Sequence, residues 1–420
     1  MNAATSTSPA PHPGKIPAPL LHACFALFVV NAALIPALYV AHDWIFDAEG
    51  RGIPTDFVNV WSAGRLALDG HPAQAWDWNI QKQVQVAVLG RNFVGNFAWH
   101  YPPPFLFVAA LLAQFPYAVA LIGWVVVSIA PYLIVMRAIV GRPFGLLVGA
   151  AFPVVLANTL VGQNGFLTAS LIGGTLVLLP KRPVLAGICL GLIAYKPQYG
   201  LLFPLVLIAT SQWRAFVSAG AVAASVAALS WLAFGTESWR AFFHWMPMFS
   251  QAFFSEGRVP WFKMQSVFAL VRLLGGSEPL AWTLQFIVSA TVAFSLVMTW
   301  RSQARYALKA AALATGTLLL TPYLFLYDMM VLAIPIALLI RIGLTDGFER
   351  GELAALGCAT LLLLIFPLVD APLGFCSSLI VAALIARRAV PSWRHQMPSW
   401  VAGVRLSAPA VPAPRPTARH

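Results

Sequence analysis

The sequence predicts an all-α polytopic membrane protein, and two observations lead to that class. Of the 420 residues, 60% are hydrophobic and only 10% are charged, whereas soluble domains carry about 25% charged residues. Apolar stretches also follow one another along the chain with short polar breaks. A chain this long and this apolar needs lipid as part of its solvent, and in lipid each segment must satisfy its backbone as a helix.

The first apolar stretch, 17–40, is longer than the roughly 7–15 residues of a signal-peptide core, so we expect a retained membrane helix. Further apolar stretches lie near 104–136, 144–160, 166–180, 183–195, 198–212, 215–234, 279–300, 308–326, 329–343, 353–369 and 371–388. These predict about ten to thirteen transmembrane helices in a domain at 16–390. Several stretches are shorter than the roughly 20 residues of a full crossing, so we expect broken helices, especially at GQNG and YKPQYG.

The net charge of +12 comes from basic residues that stand singly or in pairs between apolar stretches. In membrane proteins such residues mark cytoplasmic loops, so we expect no nucleic-acid partner. The residues assigned to the cytoplasm are Arg137, Arg142, Lys181, Arg182, Arg214, Arg301, Arg305, Lys309, Arg341, Arg387 and Arg388. The rule allows 104–136 only one net crossing, although that stretch is long enough for two short helices. It also places the long loops 41–103 and 235–264 outside. We expect a multi-pass protein of the plasma (inner) membrane.

The two chain ends, 1–15 and 398–420, are predicted to be disordered, the second as a cytoplasmic tail. None of the four cysteines has the spacing of a metal site or a disulfide framework. We expect no metal and no cofactor. The first outside loop holds the densest polar chemistry of the chain, and DFVNVWSAGRLAL and AWDWNIQKQVQVAVL within it predict two helices in the plane of the membrane interface.

Asp56 is the first candidate site residue, because it opens the first of these loop helices. Its alternative role is a helix N-cap, which a Thr-Asp pair before an apolar periodic run fits well. His100 and Tyr101, in HYPPP, are candidate cavity residues at the membrane surface. On spacing alone, HYPPP is better explained as a rigid entry into the next membrane helix.

Lys196 lies in YKPQYG, where a cation beside a helix break is expensive unless it is paired or reaches the interface. A lipid phosphate is a natural partner, with simple snorkelling as the alternative. Gln198 in the same break, and Gln163 and Asn164 in GQNG, are expected to line a cavity, although GQNG also suits a plain tight turn. Asp328, after a Thr-Pro break, is either a cap or a second catalytic carboxylate.

These candidates share one membrane face in the expected topology, and their convergence indicates a site. The sequence contains no Asp-x-Asp metal motif, P-loop or Gly-rich dinucleotide turn. An enzyme outside the cytoplasm has no nucleotide sugar available and would use a lipid-carried donor.

The order of the motifs resembles glycosyltransferase family 87, formerly a domain of unknown function, in the multi-membrane-helix GT-C superfamily. The matching pieces are DFVNVWSAGRLALDGHPAQAWD, HYPPPFLFVAALLAQFP, GQNGFLTASLIGG, PVLAGICLGLIAYKPQYGLLFPLVLI and TPYLFLYDMMVL. The resemblance implies a GT-C-like bundle that moves a hexose, with mannose the best-known sugar, from a polyprenyl-phosphate-sugar donor to a lipid or glycan acceptor.

The resemblance also implies a catalytic base in the first outside loop, a position that Asp56 matches. Asp328 stands where family members place a polar or ionisable residue, and Lys196 matches the Lys-Pro motif. Lys196 is expected to hold the donor phosphate, with Arg258 and Lys263 as weaker candidates. The remaining alternatives are a transporter or lipid flippase, which usually shows internal repeats that this chain lacks, and a non-catalytic envelope scaffold.

Overall fold

The computed structural model describes residues 14–394, and helices dominate them. Two isolated bridges, Trp44 with Phe46 and Phe46 with Gly52, are the only β-type pairings in this described part. The α-helices are α1 (Ala18–Val40), α2 (Phe57–Leu68), α3 (Trp78–Leu89), α4 (Leu106–Leu112), α5 (Tyr117–Val140), α6 (Phe144–Ala150), α7 (Val154–Val161), α8 (Gly165–Leu178), α9 (Pro183–Gly191), α10 (Leu202–Ala209), α11 (Trp213–Ser250), α12 (Val267–Leu273), α13 (Glu278–Arg301), α14 (Tyr306–Leu320), α15 (Ala333–Asp346), α16 (Glu352–Ile365) and α17 (Leu373–Arg394).

Short 3-10 segments and one π-helical turn connect several of these helices. The 3-10 segments are Pro72–Trp76, Pro103–Phe105, Leu192–Tyr195, Pro197–Gly200, Trp261–Lys263, Leu326–Leu332 and Phe366–Leu368, and the π turn is Gln251–Ser255. The predicted tail 398–420 lies outside the described residues, as does the predicted N-terminal segment 1–15 except for its last two residues.

The predicted class, an all-α polytopic membrane protein, is confirmed. Five helical stretches of the described chain are long and apolar enough to cross a membrane: Ala18–Val40, Tyr117–Val140, Trp213–Ser255, Glu278–Arg301 and Leu326–Asp346. A sixth span is possible if α6 and α7, bent by 59° at their junction, cross as one unit. Six shorter apolar helices of 10–17 residues accompany them. The total of ten to thirteen crossings stays a prediction.

Both predicted helix breaks are present in the structure. α7 ends at Val161 and α8 begins at Gly165, and Gly162 between them has a φ of +67°. A Cβ atom on Gly162 would lie 2.6 Å from the Cβ of Phe57, so the turn needs glycine both for its backbone angle and for contact with α2. At the second break, Lys196 separates two 3-10 segments between α9 and α10.

The stretch 104–136 forms one short helix and one long helix. α4 has seven residues, about 10 Å of helix, against a hydrocarbon core about 30 Å thick, and α5 has 24. Only α5 is long enough to cross. α4 instead packs closely on α2. The two helices are so close that a Cβ atom on Gly64 would lie 1.9 Å from the Ala109 carbonyl oxygen.

Three neighbouring helices place the candidate residues at one end of the bundle. α5, α8 and α15 pack together. α8 begins just after Gln163 and α15 just after Asp328, while the opposite ends of α5 and α15 are joined where Arg341 donates a hydrogen bond to the Ile139 carbonyl (3.1 Å). The polar motifs and the basic turns therefore occupy opposite ends of the same helices.

Candidate active site

Asp56 occupies the N-cap position of α2, but its carboxylate makes no capping hydrogen bond to the helix amides. Its Oδ2 atom instead accepts a hydrogen bond from the Gln163 side-chain amide at 3.1 Å. Asp77, in the same loop, does cap its helix, because its Oδ1 accepts from the amides of Asn79 (2.9 Å) and Ile80 (3.1 Å). The two aspartates show that the half-buried Asp56 carboxylate is held by the site and not by its own helix.

Gln163 connects Asp56 to Tyr101. The Tyr101 hydroxyl donates to Gln163 Oε1 at 3.0 Å, and the Gln163 amide nitrogen then faces Asp56. Because the oxygen of the amide is engaged by Tyr101, its NH₂ group is oriented toward the carboxylate. The backbone of Tyr101 is itself held in place, since its carbonyl accepts a hydrogen bond from the buried Trp76 indole at 3.1 Å.

Lys196 and Asp328 form a buried ion pair. The Lys196 ammonium donates to Asp328 Oδ1 at 2.6 Å, and the two side chains are 6% and 4% exposed. The other Asp328 oxygen, Oδ2, accepts a hydrogen bond from the Phe325 amide at 3.0 Å. Lys196 therefore does not snorkel to the interface, and Asp328 acts as a cap as well as an ion-pair partner.

Three tyrosine rings surround this pair. The Lys196 ammonium lies 5.4–5.9 Å from the ring centroids of Tyr101, Tyr199 and Tyr327. Such distances allow cation–π attraction, which strengthens when the cation is removed from water.

Two adjoining cavities open at this end of the bundle. The larger, about 580 Å³, is lined by Asp56, Gln163, Arg258 and Lys263, and it lies in the size range of small-molecule sites. The smaller, about 110 Å³, is lined by Tyr101, Lys196, Gln198 and Asp328. His100, Tyr323 and Tyr327 line both cavities and form the wall between them.

The cations of the larger cavity differ in their pairing. Arg258 is bonded to Glu256 (2.5 Å) and lies over the Trp78 ring at 5.5 Å from its centroid. Lys263 has no carboxylate within ion-pair distance among the described residues. Lys263 is therefore the cation of this cavity that is not held in an ion pair, and its charge interacts with Asp56 across the cavity.

Burial shifts the pKa of two titrating groups in the first loop. Burial raises the pKa of Asp56 above its ordinary value, although the Gln163 hydrogen bond and the charge of Lys196 act in the opposite direction. Burial lowers the pKa of His100 to about 4, with a smaller contribution from Lys196, so its imidazole is neutral near pH 7. The Ala98 carbonyl oxygen lies 3.2 Å from Nδ1 and can only accept, so Nδ1 carries the proton. The other nitrogen of the neutral ring, Nε2, is then an acceptor.

Nine of the ten sequence candidates line one of these cavities, and Asn164 does not. Asn164 is as buried as Gln163 but lines neither cavity, and its carbonyl accepts a hydrogen bond from the Thr168 hydroxyl. Its expected place in the cavity is therefore corrected: of the two neighbouring amides in this turn, only Gln163 lines a cavity.

Sequence reasoning missed four polar residues of the larger cavity: Asn59, Asn96, Tyr323 and Tyr327. Asn59 had a usable signal, because it stands three residues after Asp56 and so shares its helix face. Among the residues that the structure describes, its buried Oδ1 atom has no hydrogen-bond partner. Asn96 lies farther along the same loop, and Tyr323 and Tyr327 lie in one segment just before Asp328. No helical spacing connects these three residues to Asp56.

The model of one protein family matches this chain. It is described as glycosyltransferase family 87, and it matches residues 99–322, more than half of the chain. No curated protein and no solved structure shows significant similarity to the chain. The matched range includes His100, Gln163, Lys196 and Lys263, whereas Asp56 precedes it and Asp328 follows it. The family predicted from the motif order is confirmed: the chain belongs to glycosyltransferase family 87.

Proposed function

We propose that this membrane glycosyltransferase moves a hexose, with mannose the first sugar to test, from a polyprenyl-phosphate-sugar donor to a hydroxyl of a lipid or glycan acceptor. We place the reaction at the extracytoplasmic face of the plasma (inner) membrane, because the basic turns lie at the opposite end of the bundle. One observation carries the proposal. A single cavity contains the Asp56 carboxylate, which does not cap its own helix, together with Lys263, which is not held in an ion pair among the described residues.

The chemistry is one displacement at the anomeric carbon. The acceptor oxygen forms a bond to C1 while the bond from C1 to the phosphate oxygen breaks. Asp56 takes the acceptor proton, and its raised pKa suits a base that works near neutral pH. An in-line step inverts the anomeric centre, so a β-linked donor gives an α-linked product.

The leaving polyprenyl phosphate gains one negative charge in this step, from a diester to a monoester. Cations that contact the phosphate stabilise that developing charge. We assign this role first to Lys263 and second to Arg258. From sequence, Lys196 was expected to come first, with Arg258 and Lys263 as weaker candidates. Lys196 is not assigned this role here, because its ion pair with Asp328 has no net charge and acts weakly on a phosphate.

Asp328 is then a positioning residue and not a second base. Both of its oxygens already accept hydrogen bonds, from Lys196 and from the Phe325 amide. The pair holds the segment that carries Tyr327, one of the residues shared by the two cavities. Gln163 orients the Asp56 carboxylate, and Tyr101 orients Gln163.

The direct test is transfer by the purified protein in proteoliposomes. Two radiolabelled donors are compared, β-linked polyprenyl-phosphate mannose and nucleotide-linked mannose, and the product is digested with α-mannosidase. We expect label in product only from the lipid donor, released by the α-specific enzyme. Equal use of the nucleotide donor, or a β-linked product, would contradict the proposal. Lack of transfer from any hexose donor, with faster movement of the lipid across the bilayer, would favour the transporter alternative.

A further inference from the structure

A second cavity lies at the opposite end of the bundle from the candidate active site. It measures about 730 Å³ and is formed where α5, α8 and α15 end and α14 begins. The Tyr306 hydroxyl donates a hydrogen bond to the Leu176 carbonyl at 2.6 Å and so joins α14 to α8 at its wall. This is the end that the basic residues assign to the cytoplasm.

Four cationic side chains line this cavity: Lys181, Arg182, Arg305 and Arg341. Arg305 is paired with Asp346. Among the described residues, no carboxylate lies within ion-pair distance of the other three. The Arg341 guanidinium keeps further donors available after its one hydrogen bond to Ile139. The cavity therefore has a surplus of positive charge and of hydrogen-bond donors, which suits a phosphate group.

The remaining wall is apolar. Leu176, Val177, Leu178, Leu338 and Ile342 line it, together with small alanines. Val177 is exposed to the surroundings of the bundle, which in a membrane are acyl chains. A soluble anion would contact the four cationic side chains, which we call the rim, and would leave this apolar wall in contact with water. A phospholipid would place its headgroup on the rim and its glycerol and first methylenes on the wall.

We propose that this cavity binds an anionic phospholipid of the cytoplasmic leaflet, through its headgroup phosphate. Basic pockets between membrane helices on this side are suited to anionic headgroups. The inference is independent of the proposed transfer reaction, because none of the cavity residues lies near Asp56 or Lys263.

The test is lipid retention by native mass spectrometry of the detergent-purified full chain, titrated with phosphatidylglycerol or with phosphatidylcholine. We expect the wild type to retain the anionic lipid preferentially. The Lys181→Gln/Arg182→Gln variant should bind it about 25-fold more weakly, since each cation near an anionic headgroup contributes about fivefold. Arg341→Gln provides a separate test from a different helix and should weaken binding about fivefold.

The matched control is Arg142→Gln/Arg214→Gln, which removes two cations from the same predicted face outside the cavity. It should retain the lipid like the wild type. Equal loss in both double variants, or equal retention of the neutral lipid, would overturn the proposal. A third comparison adds inorganic phosphate to delipidated protein. If phosphate alone stabilises the protein against heat as much as phosphatidylglycerol does, the site takes a free anion and the lipid assignment fails.

Discussion

The ammonium of Lys196 and the carboxylate of Asp328 lie 2.6 Å apart, although 132 positions separate them in the chain. Both side chains are almost completely buried. The contact joins the break between α9 and α10 to the segment that precedes α15, and both flank the cavity wall. Two charges in such a place depend on each other, because either one alone would be costly to bury.

The first prediction concerns that dependence. Lys196→Met should lower the free energy of unfolding by about 3–5 kcal/mol, because Asp328 would be left as a buried unpaired charge. Lys196→Met/Asp328→Leu should recover most of the loss, since an apolar pair of similar volume is often neutral. Denaturation by SDS in mixed micelles measures both variants. A double variant as unstable as the sum of the single variants would show that the pair is not coupled.

The pH dependence of transfer should follow the Asp56 carboxylate, which must be deprotonated to act as a base. Activity therefore rises with pH through its pKa, which lies above the ordinary value of 3.8. Gln163→Leu removes a hydrogen bond that lowers this pKa, so the acid limb of kcat/KM should move up by about one pH unit. Gln198→Leu, in the smaller cavity, is the control and should leave the limb in place. A Gln163→Leu limb that coincides with the wild type would exclude Asp56 as its origin.

Lys263→Gln should reduce kcat/KM by about 10- to 150-fold, because a hydrogen bond to a charged group contributes about 1.5–3 kcal/mol. The control is Arg240→Gln, which removes an exposed cation that is paired with Glu237 on α11. Initial rates at varied donor concentration measure both. If Lys263→Gln transfers sugar at the wild-type rate while Arg258→Gln does not, the phosphate ligand is Arg258.

The close contact of α2 with α4 at Gly64 should be sensitive to any added side chain. Gly64→Ala should destabilise the protein by several kcal/mol or displace α2, since its Cβ would lie 1.9 Å from a backbone oxygen. The Cβ of Gly123→Ala in α5 meets no atom of the described chain within 4 Å, so this variant should be neutral or more stable by up to about 1 kcal/mol. Thermal unfolding in detergent compares them. A Gly64→Ala protein as stable as Gly123→Ala would show that the two helices are not in close contact.

Much of the fold could be predicted from sequence, because hydropathy and helix breakers are local signals. The apolar length of α1, the periodicity of α2 and the breaks at GQNG and YKPQYG all appear as predicted. The division of 104–136 into α4 and α5 was harder, since it depends on how α4 packs against α2. Hydropathy is the same whether a short helix crosses a bilayer or lies on another helix.

The site was less accessible to sequence reasoning, because its contacts join distant segments. A Thr-Asp pair before a helix predicts a cap. Asp56 differs from Asp77 in its hydrogen bond to Gln163, a residue 107 positions away in the chain. The partner of Lys196 was expected to be a lipid phosphate, whereas the structure provides Asp328. The difference between Gln163 and its neighbour Asn164 depends on the direction of one turn.

The measurement that tests the central claim most directly compares Asp56→Asn with Asp77→Asn in sugar transfer from polyprenyl-phosphate mannose, at matched expression. The substitutions are identical, and asparagine caps helices as well as aspartate does, so neither should unfold its helix. We predict a loss of roughly a hundredfold or more for Asp56→Asn, as expected for a general base, and near wild-type transfer for Asp77→Asn. Equal activity of the two variants would contradict the assignment of Asp56 as the base.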